Sequence, residues 1–519
     1  LNFTITEMAW MNLPALFHSP HESHETHESS RQTKHSQAYL RAWPLLLIAL
    51  AVLTGYRAWI IAHYQLPLYL DEAQYWVWSL APDWGYYSKP PMVAWVIRLF
   101  SILGDSELAV RSGSLLLHAL TALLLYALGR RMFDTGVAFA AALLFLSLPL
   151  VGFNSLFMTT DAPLFFFWAI ASYALWRALE CNAWRDWLLL GIAGGLGLLS
   201  KYSMAVFAPS VALALCLPAF RCHWRNPRLY LAALLALLVF LPNLWWNAQM
   251  DFVSFRHTAE ISQLDKGLFH PARLAEFIGG QFGCMGPVAF VFLLSALASR
   301  AVWRDPRFGF LAALSLPFLA VISLQALLAK ANANWAAPVY FTGSLLVAAR
   351  WMQQDRQRWW QLAILSNLVL LSGFYHYPTL ANALGVQLRQ NTDPYARLRG
   401  WPEIGAALQP ILAQHPQARL AVTDRSEFAL LAYYAHLRPE QIRIWNPAGE
   451  RQNHFHLVAD MKQDIGANFI FALRESLGDA PARAFDRWTA LGTVSAPLYP
   501  DVHLTLHVYR ADGFKGYAQ

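Results

Sequence analysis

Apolar runs of about 17 to 25 residues recur along this chain, and that length is what a helix needs to cross a bilayer. About eleven candidate spans can be marked, at 44–62, 109–128, 136–151, 162–177, 187–200, 203–219, 229–246, 277–298, 308–329, 336–350 and 360–376. Two of them, flanking Lys201, are short. Of the 519 residues 56% are hydrophobic and 14% charged, whereas soluble domains carry about 25% charged residues. The fold class that follows is mainly α, a polytopic transmembrane helical bundle.

Arginine positions orient the bundle. Connections holding Arg130 and Arg131, Arg177 and Arg185, Arg221 to Arg228, Arg300 to Arg307, and Arg350 to Arg358 alternate with connections poor in positive charge. The arginine-bearing set is therefore cytoplasmic. This distribution also accounts for the formal charge of +7 without a nucleic-acid partner. Two cytoplasmic loops bracket 187–219, so that stretch is a hairpin with Ser200-Lys201-Tyr202 at its outer tip. The N-terminus is cytoplasmic, and residues 1–40, polar and histidine-rich, read as a disordered tail. No cleavable signal peptide precedes the first apolar run. Of the four cysteines none forms a CxxC pair, and no disulfide framework is readable.

The bundle occupies 41–376 and an extracytoplasmic domain 377–519. In the latter, strands are expected at 419–423, 442–445, 467–473 and 502–509, with a helix over 426–436. Alternating strands and helices indicate a small α/β domain. It has no glycine-rich phosphate loop and no visible catalytic cluster.

The candidate polar residues all fall on the outer side, although arginines alone set the topology. Tyr69-Leu-Asp71-Glu72-Ala-Gln-Tyr75-Trp76 and Tyr86-Tyr87-Ser-Lys89-Pro90-Pro91 follow the first span. In the same loop, 71–80 and the 13-residue apolar stretch 91–103 are expected to lie along the membrane interface as short helices. Carboxylates beside lipid are costly, so they more often do chemistry there than decorate it. Asp71 suits a general base and Glu72 a neighbour that orients it or holds a cation; alternatively, the pair favours a helix N-terminus. Asp161, before Pro163, is a site residue or an N-cap, and both roles are compatible. Lys89 and Lys201 suit an anionic phosphate, or snorkel to the interface. Arg256 is a further anion contact. Asn332, Asn334 and Trp335 either line a polar pocket or open a span, and Tyr86, Tyr87 and Tyr202 offer aromatic faces to a substrate. His257 with Glu260 matches no dedicated metal motif.

In this order, Asp71-Glu72, Lys89-Pro90-Pro91, Arg111 opening the second span, Asp161-Ala-Pro163, the glycine-rich 191–197 running into Ser200-Lys201-Tyr202, and Asn332-Ala-Asn334-Trp335 resemble the GT-C superfamily of integral-membrane glycosyltransferases. Within it the likeness is to bacterial family 39-like enzymes of the aminoarabinose-lipid A transferase and protein O-mannosyltransferase types, over roughly 44 to 376. The resemblance implies a polyprenyl-phosphate sugar donor used at the outer face of the bacterial inner membrane. It makes Asp71 the essential first-loop acid, Lys89 and Lys201 the donor-phosphate lysines, and Asp161 the second outer-loop aspartate. It implies transfer to an extracytoplasmic lipid, glycan or protein acceptor, with inversion at the sugar. No cofactor is required; a divalent cation is compatible with the chemistry, with Glu72 and His257 the candidates to hold it. Relatives often have more spans, and the outer domain departs from the best-known members. The alternatives are a transporter or flippase of lipid-linked sugars, expected to carry mid-membrane charges and repeats, or a non-catalytic assembly protein.

Overall fold

A computed structural model of the chain describes residues 25–263, 269–475 and 480–517. The chain begins with α1 (Glu25–His63), and an outer excursion then carries α2 (Leu70–Leu80) and α3 (Met92–Phe100). The first half of the bundle continues with α4 (Glu107–Met132), α5 (Thr135–Ser147), α6 (Pro149–Ser155), α7 (Asp161–Cys181), α8 (Trp184–Ser200) and α9 (Phe207–Leu215). The second half adds α10 (Pro227–Gln249), α11 (Val253–Ser262), α12 (Pro271–Met285), α13 (Pro287–Ala298) and α14 (Arg300–Arg304). It closes with α15 (Pro306–Leu328), α16 (Val339–Gln353) and α17 (Gln357–Tyr375).

Local sequence sets the helix starts. Ser106, Asp134 and Asp305 cap α4, α5 and α15 by accepting from the backbone N–H of Ala109, Val137 and Arg307. Residues 25–40, expected in a disordered tail, instead form the start of α1. No proline or glycine interrupts the chain between Glu25 and Trp43, so helix propagates back from the apolar span. The rest of that tail lies outside the described residues.

Among the described residues, five helices are long and apolar enough to cross a membrane: Ala42–His63 within α1, then α4, α7, α10 and α15. Counting two bent pairs as spans makes seven: α5 with α6 (61°) and α12 with α13 (115°). The chain is thus a multi-pass membrane protein with fewer full-length spans than the eleven or so expected. Helix-breaking residues explain part of the difference. Pro149 and the Gly286-Pro287 pair, with Gly286 at φ 85°, bend two apolar runs sharply at their middles. The run at 203–219 opens in a 3₁₀ turn over Tyr202–Val206 and leaves α9 with 9 residues. The other shortened runs are α8, of 17 residues, and α16, of 15. The bundle core is dense with rings: Trp168 meets Phe207 and Phe318 edge-on at 4.8 and 5.4 Å.

Beyond α17 come α18 (Tyr377–Ala383), α19 (Trp401–Gln414), β1 (Arg419–Val422), α20 (Arg425–Tyr434), β2 (Ile442–Ile444), α21 (His454–Val458), β3 (Phe469–Leu473), β4 (Phe485–Tyr499) and β5 (Val502–Phe514). The sheet order is β2-β1-β3-β5-β4, with β1 parallel to β2 and β3, and β5 antiparallel to β3 and β4. The expected strands and helix are present. An added edge strand, β4, was not expected, because it presents mostly exposed residues to solvent and gains its extended form from a long hairpin with β5.

The α/β domain sits on α2. Trp76 meets Tyr433 edge-on at 4.9 Å, and the Tyr434 hydroxyl accepts from the N–H of Leu68 at 2.6 Å. Glu72 to Ser79 are buried, so α2 is an internal wedge and not the lipid-lying helix expected. The end of the neighbouring stretch, with Leu99, Ile102 and Leu103 exposed, keeps an interfacial character.

Candidate active site

The wedge helix α2 carries the two adjacent carboxylates to opposite fates. Successive side chains on a helix diverge by about 100°, so when Glu72 points inward, Asp71 faces away from it. Glu72 accepts from Arg111 Nε at 2.8 Å and Nη2 at 2.7 Å, from Tyr69 N at 2.9 Å and from Met158 N at 2.8 Å. Arg111 also donates to the carbonyls of Leu66 and Pro67 at 2.7 and 2.8 Å. Both side chains are buried, at 0% and 2% exposure. Both Glu72 oxygens are therefore engaged, and the roles expected for it, partner of a base or cation ligand, are corrected. It is a clamp joining α2, α4 and the turn before α7.

Asp71 faces a cavity of about 820 Å³ between the bundle and the α/β domain. Its carboxylate is 3.2 Å from Arg425 Nη1, which also donates to Gln74 Oε1 at 2.8 Å. Across the cavity Asp161 opens α7 and meets Lys201 Nζ, at the end of α8, at 2.6 Å. Asn334 Nδ2 donates to the other Asp161 oxygen at 3.0 Å. Asn332 and Trp335 line the same wall.

Lys89 is held in a tight backbone bridge to Tyr86, with N–H to carbonyl distances of 3.1 and 3.4 Å, ahead of Pro90-Pro91. Lys89 lines the cavity. Burial, and then the neighbouring Lys201, pull it below the ordinary lysine value. No carboxylate pairs with it among the described residues. Tyr87 and His257 line the cavity with rings 5.0 Å apart. Burial and Lys89 hold the His257 imidazole below its usual range, so it is neutral at physiological pH; Glu260 lies 3.8 Å from it. Among the described residues no three His, Cys, Asp or Glu converge to hold a metal ion.

Three expected residues stand outside the lining. Tyr86 lies behind it, stacked on Trp78 at 4.4 Å with its hydroxyl donating to the Trp78 carbonyl at 3.0 Å. Tyr202 packs on Phe255 at 4.9 Å and bonds Asn243 and Asn247 at 3.3 Å each. Arg256 is exposed and turned away, since its neighbour His257 takes the inward position on α11.

The α/β domain contributes residues that sequence reasoning missed. Arg425, Gln452, Asn453, His454 and, ahead of α19, Arg397 all reach the cavity. His454 stacks edge-on against Trp78 and Tyr86 at 5.5 and 5.3 Å, and burial keeps it neutral, down to about 3. A sequence signal existed for Arg425. It follows Asp424, which caps α20 by accepting from Ser426 N at 2.7 Å directly after parallel β1. That junction is the carboxyl end of a parallel sheet, where α/β domains present ligand contacts.

The family described as dolichyl-phosphate-mannose-protein mannosyltransferase matches residues 88–246. A lipid A galacturonosyltransferase of Rhizobium johnstonii, RgtD, is 32% identical over 435 residues, 81% of this chain and 90% of its own length. An undecaprenyl phosphate-alpha-4-amino-4-deoxy-L-arabinose arabinosyl transferase of Pseudomonas aeruginosa is 35% identical over 228 residues, 39% of this chain and 40% of that protein. ArnT of Cupriavidus metallidurans, solved in the apo state and bound to undecaprenyl phosphate, shares the fold. The TM-score is 0.61 for both, at 16% and 15% identity, covering 90% of this chain and 97% of ArnT. A match of that extent is longer than the bundle alone, so the outer domain is less of a departure from this family than expected. With a two-part architecture shared with ArnT and a relative that it matches along 90% of its length, the chain belongs to the GT-C family of integral-membrane glycosyltransferases of the aminoarabinose transferase type.

Proposed function

We propose that this enzyme moves one sugar from a polyprenyl-phosphate carrier to an extracytoplasmic acceptor, with lipid A the favoured acceptor class. The observation that carries the reading is the convergence of Asp71, Asp161, Lys89 and Lys201 on one cavity, from four separate elements. The acceptor hydroxyl oxygen attacks the anomeric carbon, and the bond from that carbon to the phosphate oxygen breaks with its electron pair on the polyprenyl phosphate. The hydroxyl proton passes to Asp71. A single displacement inverts the anomeric centre.

Charge develops on the leaving phosphate, so a cation aimed at it lowers the barrier. Lys89, unpaired among the described residues, is the side chain best suited to that task. Lys201 lends its charge from beside it while holding Asp161 in place. RgtD and the arabinosyl transferases act, by name, on lipid A or on undecaprenyl phosphate sugars, which supports both substrate classes. In this reading the shorter helices cross the bilayer as well, the N-terminus is cytoplasmic and the cavity opens on the outer face of the inner membrane. The test is transfer by the purified enzyme in detergent from a polyprenyl-phosphate sugar to lipid A. Asp71→Asn is expected to lose on the order of 10²- to 10⁴-fold in rate; undiminished transfer by that variant overturns the assignment.

A further inference from the structure

Among the described residues, two side chains in the cavity lining hold a buried polar atom that meets no hydrogen-bond partner: Asn154 Nδ2 and His454 Nδ1. The two are not equivalent. A neutral imidazole can leave Nδ1 as a bare acceptor, and an acceptor without a partner is tolerated more often than a donor. The Asn154 amide nitrogen carries two N–H groups, and leaving them unmet costs the whole of their lost hydration. The residue is 2% exposed, so it points to a ligand that supplies the missing oxygen.

The backbone that presents this amide is held from two sides. The 61° bend between α5 and α6 turns Leu150, Phe153 and Asn154, one face of α6, onto the cavity. Ser114 Oγ, from α4, donates to the Asn154 carbonyl at 2.7 Å. Arg57, from α1, donates to Ser155 Oγ at 3.2 Å and to the Leu146 carbonyl at 2.5 Å. The break before Pro149 takes that carbonyl out of the helix ladder, and Arg57 meets it instead. Arg57 is buried within the first span and has no carboxylate partner among the described residues. An ionised side chain is costly there and tends to be functional; this one fastens both ends of the bend. Around Asn154 the wall is apolar, with Leu150, Phe153, Phe157 and Phe374. A lone amide among rings is how an apolar pocket fixes the orientation of a ligand. Of the donor's parts, the isoprenoid offers no polar atom, and the phosphate is matched by the ammonium groups of Lys89 and Lys201. The sugar offers hydroxyls, each able to donate and to accept, beside C–H faces that pack on rings.

We propose that Asn154 is a specificity-determining residue whose amide hydrogen-bonds a ring hydroxyl of the donor's sugar. This rests on the cavity being the site for a polyprenyl-phosphate sugar. The probes are undecaprenyl phosphate alone and the same carrier bearing galacturonate or 4-amino-4-deoxyarabinose, offered to the full-length enzyme in detergent. Affinity is measured without acceptor, and the sugar-bearing form that binds more tightly serves as the donor. Asn154→Leu is expected to weaken that donor about three- to tenfold and to leave the bare carrier within about twofold. Its melting temperature should stay level or rise, because an apolar side chain of similar size removes the unmet amide. Asn154→Ala repeats the affinity comparison if the Leu variant does not fold. A lowered melting temperature with donor affinity intact makes Asn154 a structural residue and overturns the proposal. Equal weakening of carrier and donor, or an effect confined to the KM for lipid A, overturns it too. Wild-type enzyme that binds neither sugar-bearing form more tightly than the bare carrier overturns the donor reading itself, and this proposal with it.

Discussion

The cavity has a bundle side and an outer-domain side, and they are built differently. On the bundle side, the acids are locked. Glu72 and Arg111 are buried and fully hydrogen-bonded, and Asp161 is held by both Lys201 and Asn334. On the other side, the Asp71–Arg425 pair has side chains 43% and 37% exposed and a single 3.2 Å contact. Among the described residues, Arg397 is held only by a tyrosine hydroxyl. A buried, multiply bonded pair cannot rearrange without exposing an uncompensated charge, whereas a half-solvated pair exchanges partners at little cost. The bundle side therefore fixes geometry, and the domain side is free to exchange partners.

The contrast is most easily broken at the clamp. Glu72→Gln leaves the Arg111 guanidinium buried without a counter-charge, and a loss of about 3–5 kcal/mol in stability is expected from denaturation in detergent. A loss below about 1 kcal/mol would mean that the bundle side is no firmer than the domain side. The next effect concerns Lys89. Burial and Lys201 lower its ammonium from the ordinary 10.5, so its positive charge is present at low pH and is lost as pH rises through that lowered value. Donor affinity should then fall by up to about tenfold per pH unit at the alkaline end, earlier than for a free lysine, and Lys89→Arg should remove the fall. A pH profile unchanged by that substitution would detach Lys89 from the donor. The smallest effect is at the domain side: Arg425→Gln should cost less than about 1 kcal/mol of stability, because its pair is half-exposed. A cost as large as that of Glu72→Gln would erase the distinction between the two sides.

How much could be read in advance follows the same division. Asp161 ahead of Pro163, Lys201 at the end of a glycine-rich helix and Asn334 before Trp335 each stand at a break in an apolar run. A polar residue at such a break must face either headgroups or a cavity, so these positions are visible from the chain alone. Glu72 was legible as a carboxylate but not as a clamp, since its partner Arg111 looked like one more residue opening a span. The domain side was not legible. Arg425 lies 354 residues from Asp71 in sequence, in a domain that appeared to carry no chemistry, and nothing local to either residue announces the pair. Arg256 failed for the opposite reason: its loop position was right, but one residue of helical rotation hands the inward place to His257.

The sequence by itself determined that this chain enters a membrane, that a small α/β domain follows the bundle, and that acids and lysines gather at the ends of apolar runs. Those facts depend on apolar length, period and charge placement, which are local quantities. Only the tertiary structure decided which acid is locked in a buried clamp and which is held in a half-exposed pair, which cations lack a carboxylate partner among the described residues, and that the outer domain helps to line the cavity. Ion pairing and burial are relations between distant segments, and they take their values when α20 docks on α2 and Arg111 turns inward to meet Glu72.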